Sequence, residues 1–322
     1  MLLDGAAVQD LAGNPSLAIR IPNPFPVTNF NPELEPPFLR DFSLGMNTDV
    51  LSLTFSEAVS QTTLDVSGIT IHSTETCTSD RESYTLSIPS QVQRSQPNIL
   101  DITLATVNVN GIKAMGSLAT TQNSTFISLT STVISDAATI QLTPIPDSLA
   151  FRVSEYTADS SRPALAQFTF DLDEGGLILE FNETVGVSTI QLSQFLQQSI
   201  PFTTSVDVRL TTTSLSGGNT ASLDILIERA DLNEIKRLPV CTSNLDCYLS
   251  FPETVLNDTN GNRVVEIIRT EAVLVANFTP DTCTTELHSK VYQDHLPCIR
   301  SQMASSLMKT VIPSLSISPL QI

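Results

Sequence analysis

Basic side chains are scarce: sixteen lysines and arginines stand against thirty-four aspartates and glutamates, a formal net charge of -18. A surface of that sign repels nucleic acid and anionic membranes within the Debye length, so neither is expected as a partner. Charge of either sign is sparse, at 16 % of residues against roughly 25 % in ordinary soluble domains. No apolar run approaches the roughly 18 residues a spanning helix needs, so membrane insertion is not expected. Histidine is confined to His72, His288 and His295, and the five cysteines include no CxxC, which leaves zinc without ligands at workable spacing. GxSxG, HExxH, a phosphate loop and a framed carboxylate pair are all missing, so no enzyme is expected. The first residues, Met1-Leu-Leu-Asp4-Gly5, have neither the charged start nor the apolar core of a secretory signal. Either the chain is not secreted or these are not its native first residues.

What is abundant is serine and threonine, 75 of 322 residues, beside 41 % hydrophobic residues. That is enough apolar material for cores, and the length favours two or three domains over one. An internal repeat supplies the division. Leu51 to Val59 (LSLTFSEAV) matches Leu177 to Val185 (LILEFNETV) at an offset of 126, as Pro37 to Phe42 matches Pro163 to Phe168. Asp101-Ile102 and Ile112-Lys113 match Asp224-Ile225 and Ile235-Lys236 at 123, and Phe126 to Asp136 matches Tyr248 to Asp258 at 122. A junction recurs three times, at Val27 to Glu33, Val153 to Asp159 and Val275 to Asp281; a full copy follows each of the first two and none follows the third. Asp10-Leu-Ala-Gly13-Asn14 lines up with Asp258-Thr-Asn-Gly261-Asn262 and with Asp136, so the first residues read as the closing hairpin of a domain whose beginning is missing.

Within each copy the apolar period is two, as in Leu51, Leu53 and Phe55 alternating with Ser52 and Thr54, which predicts short strands with one face inward. Two antiparallel sheets packed face to face follow. One single-turn helix is predicted at Asp231-Leu-Asn-Glu234, where an acceptor and a Glu three residues apart suggest a capping box.

The combination of LTFSE(A/T)V, the LNxIK-like turn, the FISLTS strand and the D-x-x-G-N hairpin resembles the tandem immunoglobulin-like repeats of large extracellular proteins of algae, other protists and bacteria. The resemblance covers residues 1 to about 281. It implies an all-β chain of tandem immunoglobulin-like β-sandwich domains and a glycosylated structural or adhesive role outside the cell, with no catalytic residue to carry over. The expected division is a terminal hairpin and Pro-rich linker at 1–30, repeats at 31–152 and 153–277, and a tail at 278–322.

Two terminal strands lack partners in their own sequence: Leu17, Ile19 and Ile21 at one end, Val311, Leu315 and Ile317 at the other. Unpaired edges are costly, so one subunit's end is expected to complete a sheet in another copy of the chain, giving a head-to-tail filament. The alternative is a monomeric cell-surface module that adheres or binds glycans. Six of the nineteen prolines fall between Ile21 and Pro37 and suit a semi-rigid spacer. Four sequons, at Asn123, Asn182, Asn257 and Asn277, are candidates for covalent glycans. Cys241 and Cys247 can close a small disulfide loop; Cys283 with Cys298 is the other candidate, leaving Cys77 free. No cofactor is expected. Asp258 to Asn262 opens like a calcium loop but lacks the distal Glu and reads as a hairpin turn; Asp159 or Asp281 is the alternative place for a junction calcium ion. Glu57 and Glu183 hold equivalent positions, which favours a turn role over that of a glycosidase carboxylate.

Overall fold

A computed structural model describes residues 3–282 except 6, 23, 25, 212 and 216. The chain forms two compact units, Met1–Ser161 and Arg162–Ile322, and the described residues are predominantly β, in four sheets with two α-helices.

In the first unit β1 (Leu39–Gly45), β2 (Val50–Phe55), β5 (Pro89–Gln96), β6 (Ile99–Leu104) and β9 (Glu155–Thr157) form one sheet in the order β5-β6-β2-β1-β9. A second sheet holds β3 (Ile69–His72), β4 (Ser83–Thr85), β7 (Phe126–Leu129) and β8 (Phe151–Arg152), ordered β4-β3-β7-β8. Helix α1 (Thr106–Ala114) follows β6. All pairings are antiparallel except β1 with β9, which matches Leu44 to Tyr156 and keeps the chain in this unit to Ser161.

The second unit repeats the plan. Strands β10 (Leu165–Asp171), β11 (Gly176–Val185), β14 (Thr213–Leu215), β15 (Thr220–Ile227) and β18 (Asn277–Thr279) are ordered β14-β15-β11-β10-β18. Strands β12 (Leu196–Gln198), β13 (Asp207–Arg209), β16 (Tyr248–Ser250) and β17 (Val273–Leu274) form the other sheet, and α2 is Arg229–Arg237.

The copies agree in their irregularities. The register slips between Leu39 and Asp41 in β1 and between Leu165 and Gln167 in β10, the same bulge 126 residues apart. Each first hairpin ends in a left-handed residue, Asp49 at φ 57° and Gly175 at φ 80°, whose carbonyl accepts from Leu104 N–H and Ile227 N–H respectively. Asp tolerates that conformation and Gly adopts it freely.

Alternation builds the cores. Phe42, Leu51, Leu53, Phe55, Leu100 and Ile102 face Ile69, Ile71, Ile127 and Leu129 from the other sheet, with Ile112 of α1 at the side. Phe168, Phe170, Leu177, Leu179, Ile225 and Leu249 do the same in the second unit. Each such side chain contributes about 1.5–3 kcal/mol by leaving water. At the rim of the first unit, β5 is solvent-facing over most of its length and carries Pro89 and two bulges, the devices that keep an edge from pairing with a stranger.

The predicted single-turn helix is a nine-residue helix, and Asp231 does not cap it: the N-cap is Glu228, with no side-chain capping bond. The buried Asp231 carboxylate instead accepts from the backbone and hydroxyl of Thr211, while Glu234 binds Arg237. Asn108 holds the matching place on α1, accepting from Ser87 N–H and Oγ and donating to the Ile88 carbonyl. Both helices are thus pinned to the strand region before them by one buried polar side chain. Gly111 in α1 lies against the Tyr84 ring, which a Cβ would overlap. Helix propensity alone favours Gly111→Ala by about 1 kcal/mol; overpacking is expected to win, with a net loss of about 1–3 kcal/mol in urea unfolding.

Candidate functional site

Three hairpins of one design carry the features that bear on function. Each begins with an aspartate whose own N–H bonds the carbonyl four residues on: Asp10 to Asn14, Asp136 to Ile140, Asp258 to Asn262. Oδ1 of each aspartate accepts the N–H of that same fourth residue, at 2.8, 2.7 and 2.7 Å. Gly13 and Gly261 take positive φ in the turns, so Asp258 to Asn262 is arranged as a hairpin turn. Bridges Leu3↔Ile19, Leu129↔Ile145 and Phe251↔Ile267 hold equivalent places. The difference lies in burial. Ile134 and Leu256, two residues before the aspartate, are 1 % and 0 % exposed, whereas Val8 is 58 % exposed. Leu11, Leu17 and Ile21 of the first hairpin also face solvent, as do Val27, Phe30 and Leu34 after it. The described residues between Pro22 and Leu39 form no helix or strand. Val311, Leu315 and Ile317 lie outside the described residues.

The junction aspartates are held by lysines of the helices. Lys113 Nζ lies 2.7 Å from Asp159 Oδ2, both side chains buried, and Lys236 Nζ lies 3.1 Å from Asp281 Oδ1. Reading each copy alone gave no sign of these pairs; the recurrence of Ile-Lys and of a junction acid in both copies is the signal that could have found them.

A second acidic group lies within the first unit. The bridge Val59↔Asp136 sets the segment after β2 beside the hairpin, and one carboxylate oxygen from each of Glu33, Glu57 and Asp136 lies within 4.8 Å of the others. The Glu57 carboxyl is raised above its ordinary value, first by burial, then by Glu33, and further by the negative charge of Asp136 and Glu35. In the second unit Glu183 and Asp258 occupy the equivalent positions and are both buried.

The sequon asparagines sit on several elements. Asn123, Asn182 and Asn277 are exposed, and Asn257 is half-buried. Asn123 Oδ1 accepts from Arg152 and Asn182 Oδ1 accepts from Ala164 N–H at 2.7 Å. Cys241 and Cys247 form a disulfide, S–S 2.11 Å, inside the second core. Cys77 is a free thiol at the surface, and Cys283 and Cys298 fall outside the described residues. No helix among the described residues is long and apolar enough to cross a membrane.

Comparison with known families finds no matching model, and comparison with curated proteins finds no match. Among solved structures the chain is similar to the N-terminal part of the bacterial S-layer protein SbsC, at 14 % identity over 60 % of this chain and 44 % of that one, TM-score 0.23. Domains 1–6 of surface layer protein SbsC match at 15 % identity over 59 % of this chain and 25 % of that one, also with TM-score 0.23. The chain therefore spans less than half the length of either, and likenesses at that TM-score assign it neither location nor assembly.

One titrating group reports on the first unit. His72, 2 % exposed, has Nε2 2.8 Å from Ser128 Oγ and 3.0 Å from Asp147 Oδ1. Burial, then the Arg81 charge, lower its pKa to about 4 against the pull of Asp147; that carboxylate is 64 % exposed, so water screens it. The folded state keeps His72 neutral while the unfolded chain protonates near pH 6.5. Stability from this group is complete above pH 6.5 and is lost as pH falls through about 4, on the order of 3 kcal/mol in all. Urea unfolding from pH 7 to 4 is expected to show a steeper loss for the natural chain than for His72→Gln; equal slopes would refute the assignment.

Proposed function

We propose that the chain is an extracellular structural subunit of two immunoglobulin-like β-sandwich units that joins copies of itself head to tail into a filament. The observation that carries this reading is the first hairpin: it repeats the turn and bridge of two hairpins that are packed on cores, yet it leaves Val8 and Leu17 in water. A face built for burial and left open is a binding surface. The ligand that matches it best is a sheet of its own kind, hence a second copy. In that arrangement one end of a subunit, carrying either Leu17, Ile19 and Ile21 or Val311, Leu315 and Ile317, completes a sheet in the next. Donor and acceptor surfaces differ, so such a contact propagates.

The Cys241–Cys247 disulfide favours an oxidising compartment, and the exposed Asn123, Asn182 and Asn277 are accessible to glycosylation there. Glu57 and Glu183 recur at one place in each copy, which fits a structural role and gives no single catalytic centre.

Negative-stain microscopy of the full chain beside a version lacking residues 1–21 tests the proposal. Filaments are expected from the full chain and monodisperse particles from the truncation, with circular dichroism and thermal melting showing both units still folded. Monodisperse particles from both would overturn the filament and leave a monomeric adhesive or glycan-binding module.

A further inference from the structure

The three aspartate hairpins differ in one atom's partner. In the first, Asn14 Nδ2 donates to Asp10 Oδ2 at 2.8 Å; in the third, Asn262 Nδ2 donates to Asp258 Oδ2 at 2.7 Å. The middle hairpin has Ile140 at that position, which has no side-chain amide to offer. Asp136 is 3 % exposed and its Oδ2 has no hydrogen-bond partner. A bare carboxylate oxygen cut off from water costs several kcal/mol unless something positive meets it. What converges on it instead is more negative charge: carboxylate oxygens of Glu33 and Glu57, all within 4.8 Å of one another.

We propose that Glu33, Glu57 and Asp136 form a calcium-binding site in the first unit. Three hard oxygen donors without nitrogen or sulfur favour Ca²⁺ over zinc. Contribution from a linker segment, a post-strand bend and a hairpin gives a site of adjustable size, which suits the irregular coordination of Ca²⁺ better than the strict octahedron of Mg²⁺. Oδ1 of Asp136 is committed to Ile140 N–H at 2.7 Å, so Oδ2 is the ligand atom. The exposed Glu33 leaves one side open for water to complete the shell. Bound here, the ion fastens the linker to the base of the unit. This site is independent of the filament reading and stands whether or not copies assemble.

The test is calorimetric titration of the full chain with CaCl₂ after chelator treatment, alongside thermal unfolding in chelator and in calcium. Binding is expected with Kd roughly 10⁻⁴–10⁻³ M, the range of extracellular modules, and calcium is expected to raise the melting temperature of the first unit. Asp136→Asn keeps the hairpin acceptor, and Glu33→Gln changes only an exposed side chain. Each is expected to lower the number of bound ions by one or to weaken that site at least about tenfold, with the circular dichroism spectrum unchanged. Asp10→Asn, in a hairpin whose second oxygen is already filled, is expected to bind as the natural chain does. No heat at 10 mM CaCl₂, or unchanged stoichiometry and affinity in both site variants, would overturn the proposal.

Discussion

Everything in either unit depends on one strip of side chains meeting its counterpart across the space between two sheets. Leu51, Leu53 and Phe55 in one unit, and Leu177, Leu179 and Phe181 in the other, alternate with neighbours on the opposite face so that a one-residue slip would turn the whole strip outward. The shared bulges in β1 and β10 and the left-handed turn residues at Asp49 and Gly175 hold that register. With the register set, the helix, the junction strand and the closing hairpin each have one place to dock.

Polar groups then decide how the pieces dock. The helices are short, and each relies on a buried side chain, Asn108 or Asp231, to tie it to the strand region before it. Each helix in turn presents a lysine to the acid that follows the closing parallel strand, Lys113 to Asp159 and Lys236 to Asp281. Breaking such a pair where both partners are buried leaves an uncompensated charge and costs about 3–5 kcal/mol. In the first unit, where Lys113 and Asp159 are both buried, the closing strand is therefore held by electrostatics as well as by strand pairing, which helps β9, only three residues long, to close its sheet.

The strands were legible because their cause is local: period-two alternation and turn residues at Asp136 and Asp258 need no knowledge of distant neighbours. The repeat made the second copy a check on the first. Helix α1 was missed because Thr106 to Ala114 mixes β-branched residues with glycine, and burial of Val109 and Ile112 overrides that poor propensity. Asp231 was misread as a cap because a local spacing rule cannot see Thr211. The acidic group had the same difficulty: Glu57 and Asp136 each read as turn residues, and only the bridge at Val59 shows that the turns touch.

The bulged, proline-bearing β5 edge has a consequence for life at high density. Sheets left with straight open rims recruit whatever extended peptide comes near, and crowded copies would fuse sideways into insoluble stacks. A rim that is twisted, punctuated and edged with Gln91, Gln93 and Arg94 refuses that traffic. Many copies can then lie side by side without knitting together, and sheet-to-sheet growth is discouraged along this flank.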